Sequence, residues 1–304
     1  MTTATAQIGT SGRGAVRYGS IARGQKRALY WSYFFLILFV IFFLMPPVYM
    51  FITSLKTSAE IGAVTNPWWV YHPTLQNYID LLSQAQFLTF FKNSALVAVC
   101  VVSVTMVVSI LAAFSLARMK FWGSGMLATG VFLTYLIPES LLFIPLFKIF
   151  AFIHDLTGIE LINHWWVLIF LYPTLTVPFC TWIMIGYFAS IPKELDEAAL
   201  IDGAGYLQIL LRVFIPVALP GIIAATIFCF TVSWANFLYP LAFTTSADQL
   251  VLPVGIVTTL IKGDVYNWGQ IMTGALLGAA PPLIIYAFLM DYYIAGLTAG
   301  ATKG

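Results

Sequence analysis

The sequence predicts an all-α membrane protein of six transmembrane helices with both termini in the cytoplasm, and three observations carry that prediction. Of 304 residues, 61% are hydrophobic and only 9% charged, against roughly 25% charged in an ordinary soluble domain. The charges bound six long apolar stretches, each long enough for the roughly 20 residues that cross a hydrocarbon core. The basic residues are also shared unequally between the two sides that those stretches define. A net charge of +2 is too weak to attract nucleic acid. Cys100, Cys180 and Cys229 are scattered through apolar runs, a pattern that fits neither a disulfide framework nor a metal site.

Charges locate the spans because an ionisable group at the bilayer centre costs about 2.5–3.5 kcal/mol. The first stretch runs from Arg27 to Lys56 and centres on Trp31–Phe51. The second, Lys92 to Arg118, centres on Ala95–Ser115. Between them, Ile61 to Ile79 is poor in charge yet fails as a span. Asn66, Pro67, His72, Pro73, Gln76 and Asn77 break a helix or bring polar groups that lipid cannot satisfy, and Trp68, Trp69 and Tyr71 suit an interfacial aromatic belt. The third stretch, Lys120 to Lys148, centres on Leu127–Phe147 and alone holds an interior charge, Glu139. The fourth runs from Glu160 to Lys193 around Trp165–Phe188, the fifth from Arg212 to Asp248 around Val217–Leu238, and the sixth from Asp264 to Asp291 around Ile271–Asp291.

With six spans the termini share one side. Arg13, Arg17, Arg23, Lys26, Arg27, Arg118, Lys120, Lys193, Arg212 and Lys303 fall there, and Lys56, Lys92, Lys148 and Lys262 fall on the other. The positive-inside tendency makes the richer side cytoplasmic. Residues 1–28 are polar and rich in Gly and Ser, too long for a signal-peptide n-region, and are expected to form a mostly disordered cytoplasmic tail. A transmembrane domain then fills 29–304 and ends in a tail over 292–304.

The cytoplasmic segment 190–214 is the most informative part of the chain. Pro192 suits a first helical turn, and Glu194, Asp196 and Glu197 lie where the positive helix end favours acids. Ala198 and Ala199 permit another backbone to approach closely, and Gly203 and Gly205 supply a turn. A second amphipathic stretch, Tyr206 to Phe214, leads through Pro216 into the fifth span. The predicted product is two short helices meeting at a glycine elbow. Its alternatives are a docking surface and a solvated connection between spans.

Glu197-Ala198-Ala199, Gly203 four residues on, and Val213-Phe214-Ile215-Pro216 resemble the Glu-Ala-Ala signature of ATP-binding cassette (ABC) importer permeases. Asp202-Gly203-Ala204, Pro220 and the ending Gly296-Leu297-Thr298-Ala299-Gly300-Ala301-Thr302-Lys303-Gly304 are similar to the carbohydrate-importing, maltose-permease G-subunit-like branch, with Thr302 where that branch has Val. Ile144-Pro145-Leu146-Phe147 adds to the likeness, which covers the chain from about Leu29 onward. The resemblance implies a type I importer fold in a bacterial inner membrane, with cytoplasmic coupling helices. It also implies a second permease subunit completing the pore, two ATPase subunits beneath, and an extracytoplasmic solute-binding protein delivering a sugar, polyol or related solute. Glu197, Ala198, Ala199, Asp202 and Gly203 would form the joint to the ATPase, and Leu297, Thr298, Gly300 and Lys303 would reach between the ATPase subunits. ATP and Mg would belong to those partners, since the chain has no Gly-x-x-x-x-Gly-Lys-Ser/Thr phosphate loop.

Two places are candidates for the solute pathway. Glu139, in Tyr135-Leu136-Ile137-Pro138-Glu139-Ser140, must face a cavity or a partner at that depth; the alternative is an acid holding helices together. Trp234-Ala235-Asn236-Phe237 departs from the Trp-Asn-Asp/Glu-Phe common in the resembled family, yet an aromatic face beside an amide remains sound sugar-binding chemistry. The alternative for Trp234 is an interfacial anchor. His72, His154 and His164 lie in or beside outer loops with no catalytic or metal spacing around them, so no enzyme activity is expected. Gly274 with Gly278, and Ala275 with Ala279, mark a face for close helix packing. An ion-coupled secondary transporter is the competing reading; a single deep ionisable group supplies little for ion coupling.

Overall fold

The computed structural model describes residues 18–63, 68–119, 121–262 and 265–301. The chain divides into two units, residues 1–49 and 50–304. The first is most of one helix, α1 (Tyr18–Ser54), which takes in Pro46 and Pro47 without interruption. Helix therefore begins within the segment expected to be a tail. From Leu29 through Met45 its side chains are almost all large and apolar, as a membrane-crossing helix requires.

In the second unit, α2 (Ser58–Gly62) and α3 (Gln76–Ser83) overlap the two ends of the stretch read as non-spanning. Then follow α4 (Ala85–Arg118), α5 (Ser124–Tyr135), α6 (Glu139–Thr157), a 3-10 turn at Trp165–Val167, α7 (Leu168–Leu171) and α8 (Pro173–Ser190). Two short helices, α9 (Lys193–Ile201) and α10 (Tyr206–Ile209), lead through a π-helical turn at Leu210–Phe214 to α11 (Ile215–Val217) and α12 (Leu219–Ala235). The chain ends with α13 (Leu238–Phe243), α14 (Leu252–Leu260), a two-stranded hairpin of β1 (Ile261–Lys262) and β2 (Val265–Tyr266), and α15 (Trp268–Ala301).

Among the described residues, five helical stretches are long and apolar enough to cross a membrane: Lys26–Ser54, Gln86–Arg118, Glu139–Thr157, Trp165–Ser190 and Trp268–Met290. Tyr206–Val217 with Leu219–Ala235 makes a sixth if its 81° bend is allowed within one span.

Two spans depart from the continuous helices predicted. The third, centred by sequence on Leu127–Phe147, is broken between α5 and α6. Proline at 138 lacks an amide proton and pushes Ile137 away from helical backbone, so the Leu136 and Ile137 amides turn back to Leu133 and Thr134 instead. The fifth bends at Ala218, where Pro220 has no amide to give the Pro216 carbonyl. At the C-terminus, α15 runs on through Ala301, so the backbone from 292 to 301 continues the last helix.

The core forms where α4 packs along α8 and α12, with α15 against α12 and α14. Thr105 and Thr176, both fully buried, share a 2.7 Å hydrogen bond between α4 and α8. A Cβ at Gly274 would stand 3.2 Å from Ile256, and one at Gly278 3.2 Å from Leu252. The small residues thus let α15 lie close to α14, as helices must where lipid gives them no hydrophobic reason to associate.

Candidate functional site

The charged segment after α8 folds into the expected elbow. Pro192 caps α9, Glu194 and Asp196 occupy its first turn, and none of its residues is buried. It closes in a Schellman motif: the Gly203 amide donates to the Leu200 carbonyl at 3.0 Å and the Ala204 amide to that of Ala199 at 2.9 Å. Gly203 sits at φ +80°, a conformation that costs an L-residue about 1–2 kcal/mol. Gly205 then opens α10, its amide donating to Gln208 Oε1 at 3.1 Å. Glu197, Ala198 and Asp202 are exposed, and so are Leu200, Ile201 (87%), Tyr206 and Leu207 beside them. Ala199 and Ala204 pack against the core instead. Acids, Ala198 and aliphatic side chains are thus exposed side by side on this elbow.

A residue that the sequence marks only as a span boundary and a basic charge organises this elbow. Arg118 ends α4, where a cation complements the helix dipole, and its side chain is only 6% exposed. Its Nη2 donates to the Ile191 carbonyl, its Nη1 lies 3.5 Å from Asp196 Oδ2, and its guanidinium carbon stands 4.8 Å from the centre of the Phe214 ring. Phe214 meets Phe114 and Phe188 edge-on at 5.1 and 5.3 Å. Burial pushes the Asp196 carboxyl above the usual carboxylate range; Arg118 pulls it down, and Glu197 raises it further. The ion pair therefore does not fully offset the desolvation of its carboxylate.

Glu139 stands at the first position of α6, just after the break. Its Oε1 accepts a 2.7 Å hydrogen bond from Asn236 Nδ2, and Asn236 itself caps the end of α12 at a second break. Asn236 Oδ1 accepts from the Tyr239 amide at 3.1 Å, opening α13. One carboxylate–amide pair thus bridges two interrupted helices. Beside it lies a cavity of about 350 Å³, lined by Tyr135, Glu139, Thr174, Phe228 and neighbouring aliphatics. Tyr135 stacks on Phe179 at 4.9 Å, and Phe179 packs on Phe228 at 4.2 Å. The cavity therefore combines an aromatic wall, a carboxylate and a hydroxyl.

Glu139, Asn236 and Tyr135 are thus brought together, and Trp234 is not. The residue is 5% exposed; its ring stacks on Phe230 at 5.4 Å and donates from Nε1 to the Gly278 carbonyl at 2.8 Å. Buried in a core cluster and absent from the cavity lining, it is a core residue tying α12 to α15, neither a cavity wall nor an interfacial anchor. Of the C-terminal candidates, Leu297, Thr298 and Gly300 lie on the backbone of α15; their side chains, and Lys303 altogether, lie outside the described residues.

The chain is similar to known transport proteins in sequence and in fold. The family model for binding-protein-dependent transport system inner membrane components matches residues 105–298. The chain is 33% identical over 86% of its length to 89% of the sulfoquinovosyl glycerol transport system permease protein SmoH of Agrobacterium fabrum. It is 32% identical over 88% of its length to 94% of the trehalose/maltose transport system permease protein MalG of Thermococcus litoralis. It is 29% identical over 92% of its length to the whole of the diacetylchitobiose uptake system permease protein DasC of Streptomyces coelicolor. In fold it is similar to a chain of a bacterial ABC transporter that imports the acidic polysaccharide alginate, with a TM-score of 0.74 at 20% identity, covering 94% of this chain and all of the other.

Proposed function

The chain belongs to the family of binding-protein-dependent transport system inner membrane components, and from that premise we propose that it carries a sugar, polyol or related small solute through a pore shared with a second permease subunit. As a permease subunit it is not itself an enzyme; ATP is handled by a separate ATPase. Family membership leaves the ion-coupled alternative without support.

The observation that carries the coupling part of the proposal is the exposed surface of α9. Glu197, Ala198, Ala199, Asp202 and Gly203 form the joint to the ATPase: the acid meets a basic group, the exposed Ala198 admits close contact, Ala199 seats the helix on the core, and the αL glycine fixes the elbow. Leu297, Thr298, Gly300 and Lys303 extend the contact toward the ATPase pair. With the unequal distribution of basic residues, this supports cytoplasmic termini. A solute with hydroxyl groups suits the cavity, since Tyr135 offers an apolar face and Glu139 accepts hydrogen bonds. The names of the relatives, which specify sulfoquinovosyl glycerol, trehalose/maltose and diacetylchitobiose, support the same class.

Co-purification tests the reading. Glu197→Lys and Gly203→Trp are expected to release the ATPase or to uncouple it while the permease still inserts. Normal ATPase recovery and normal uptake in both variants would contradict the assignment of α9.

A further inference from the structure

A lever transmits force only if it is held rigidly, and α9 has no buried residue, only the half-buried Ala199 packed against the core. Covalent continuity joins it to α8 on one side and, through α10 and α11, to α12 on the other. Nothing in the chain's order joins it to α4, whose inner end lies beside it. The link is Arg118. Its guanidinium contacts the Ile191 carbonyl at the end of α8, the Asp196 carboxylate in the first turn of α9 and the Phe214 ring at the head of α11. Four elements therefore meet on one side chain that is almost wholly withdrawn from solvent. A planar fork with several donors and a face for stacking makes these contacts at once, and an ammonium group cannot. The Phe114–Phe188–Phe214 cluster beneath it supplies a stiff floor.

We propose that Arg118 is a positioning residue for transport: a tether that makes the inner end of α4 move as one body with the coupling helix. The inference rests on the reading of α9 as the ATPase joint, and it adds that α4 belongs to the same lever. Force delivered at α9 then reaches α4 directly, besides travelling along the chain into α8 and α12. This is a rigid-body transfer of the kind by which small displacements at one site become larger ones elsewhere. The partial cost of burying Asp196 fits a contact kept for geometry rather than for stability.

The test is made on the complete transporter with its ATPase, using spin labels on Val104→Cys, exposed on α4, and Glu194→Cys, exposed on α9, in a Cys100→Ser background. A second label pair reports the distance from α9 to the ATPase. With Arg118 present, the α4–α9 distance is expected to stay constant between nucleotide-free and ATP-trapped states. With Arg118→Gln it is expected to change or broaden by about 2 Å or more, the scale of helix shifts in such transitions, and Arg118→Lys is expected to restore it only in part. Asp196→Asn, which removes the same ion pair from the other side, gives the measurement if Arg118→Gln does not assemble. A constant distance in Arg118→Gln or Asp196→Asn, or a changing one with Arg118 present, overturns the tether. An α9–ATPase distance that ignores nucleotide overturns the lever itself.

Discussion

Glu139 and Asn236 show how one hydrogen bond separates a structural from a functional role. Glu139→Gln keeps an oxygen for the Asn236 amide, so the bridge between the two helix breaks survives while the charge is lost. The expected outcome is an unchanged melting temperature in detergent with weakened solute uptake. Glu139→Ala leaves the Asn236 amide unpaired beside the cavity and is expected to cost about 1–3 kcal/mol. Equal uptake for wild type and Glu139→Gln would make the carboxylate merely structural. Trp234→Phe provides the contrast, since it orphans the Gly278 carbonyl and should lower stability by a similar about 1–3 kcal/mol. Asp196 adds a pH dependence. Its folded pKa is raised, chiefly by burial, so its contribution to stability is full below the ordinary carboxylate pKa of about 3.9. That contribution is lost as pH rises through the raised value. Melting curves of Asp196→Asn should therefore lack this acid-side gain.

Among the elements, the elbow and the broken helices behave differently. Gly203→Ala keeps open space around the new methyl but strains the αL backbone by about 1–2 kcal/mol. Amides at the end of α9 should then exchange with solvent roughly tenfold faster, an effect confined to that helix. Spans and elbow were legible in the sequence because charge and Pro–Gly punctuation act locally. The breaks were less so. Pro46 and Pro47 lie inside an uninterrupted α1, and Pro281 and Pro282 inside an uninterrupted α15, whereas Pro138 ends a helix. A proline alone does not declare whether neighbouring groups will satisfy the freed backbone. Arg118 was legible only as a positive charge at a membrane edge, because the nearest of these contacts in sequence, Ile191, lies 73 residues on, and Asp196 and Phe214 lie further still. Trp234 and Asn236 are two positions apart on one motif, and only packing decides that the first enters the core and the second reaches Glu139.

For the whole molecule, the chain behaves as part of a machine whose energy is supplied elsewhere. Apolar length gives it the membrane, two helix breaks give it a cavity with a carboxylate, and a short exposed helix gives it the surface proposed for the ATPase. Reporter fusions at the two ends are expected to place both termini in the cytoplasm; an extracytoplasmic C-terminus would invert the topology and put α9 out of reach of any ATPase. The most direct measurement is photocrosslinking from position 198 on α9 in the assembled, ATP-hydrolysing complex. The account predicts the ATPase subunit as the principal adduct, with a yield that changes on ATP binding. A complex that hydrolyses ATP yet gives no ATPase adduct from that position would contradict it.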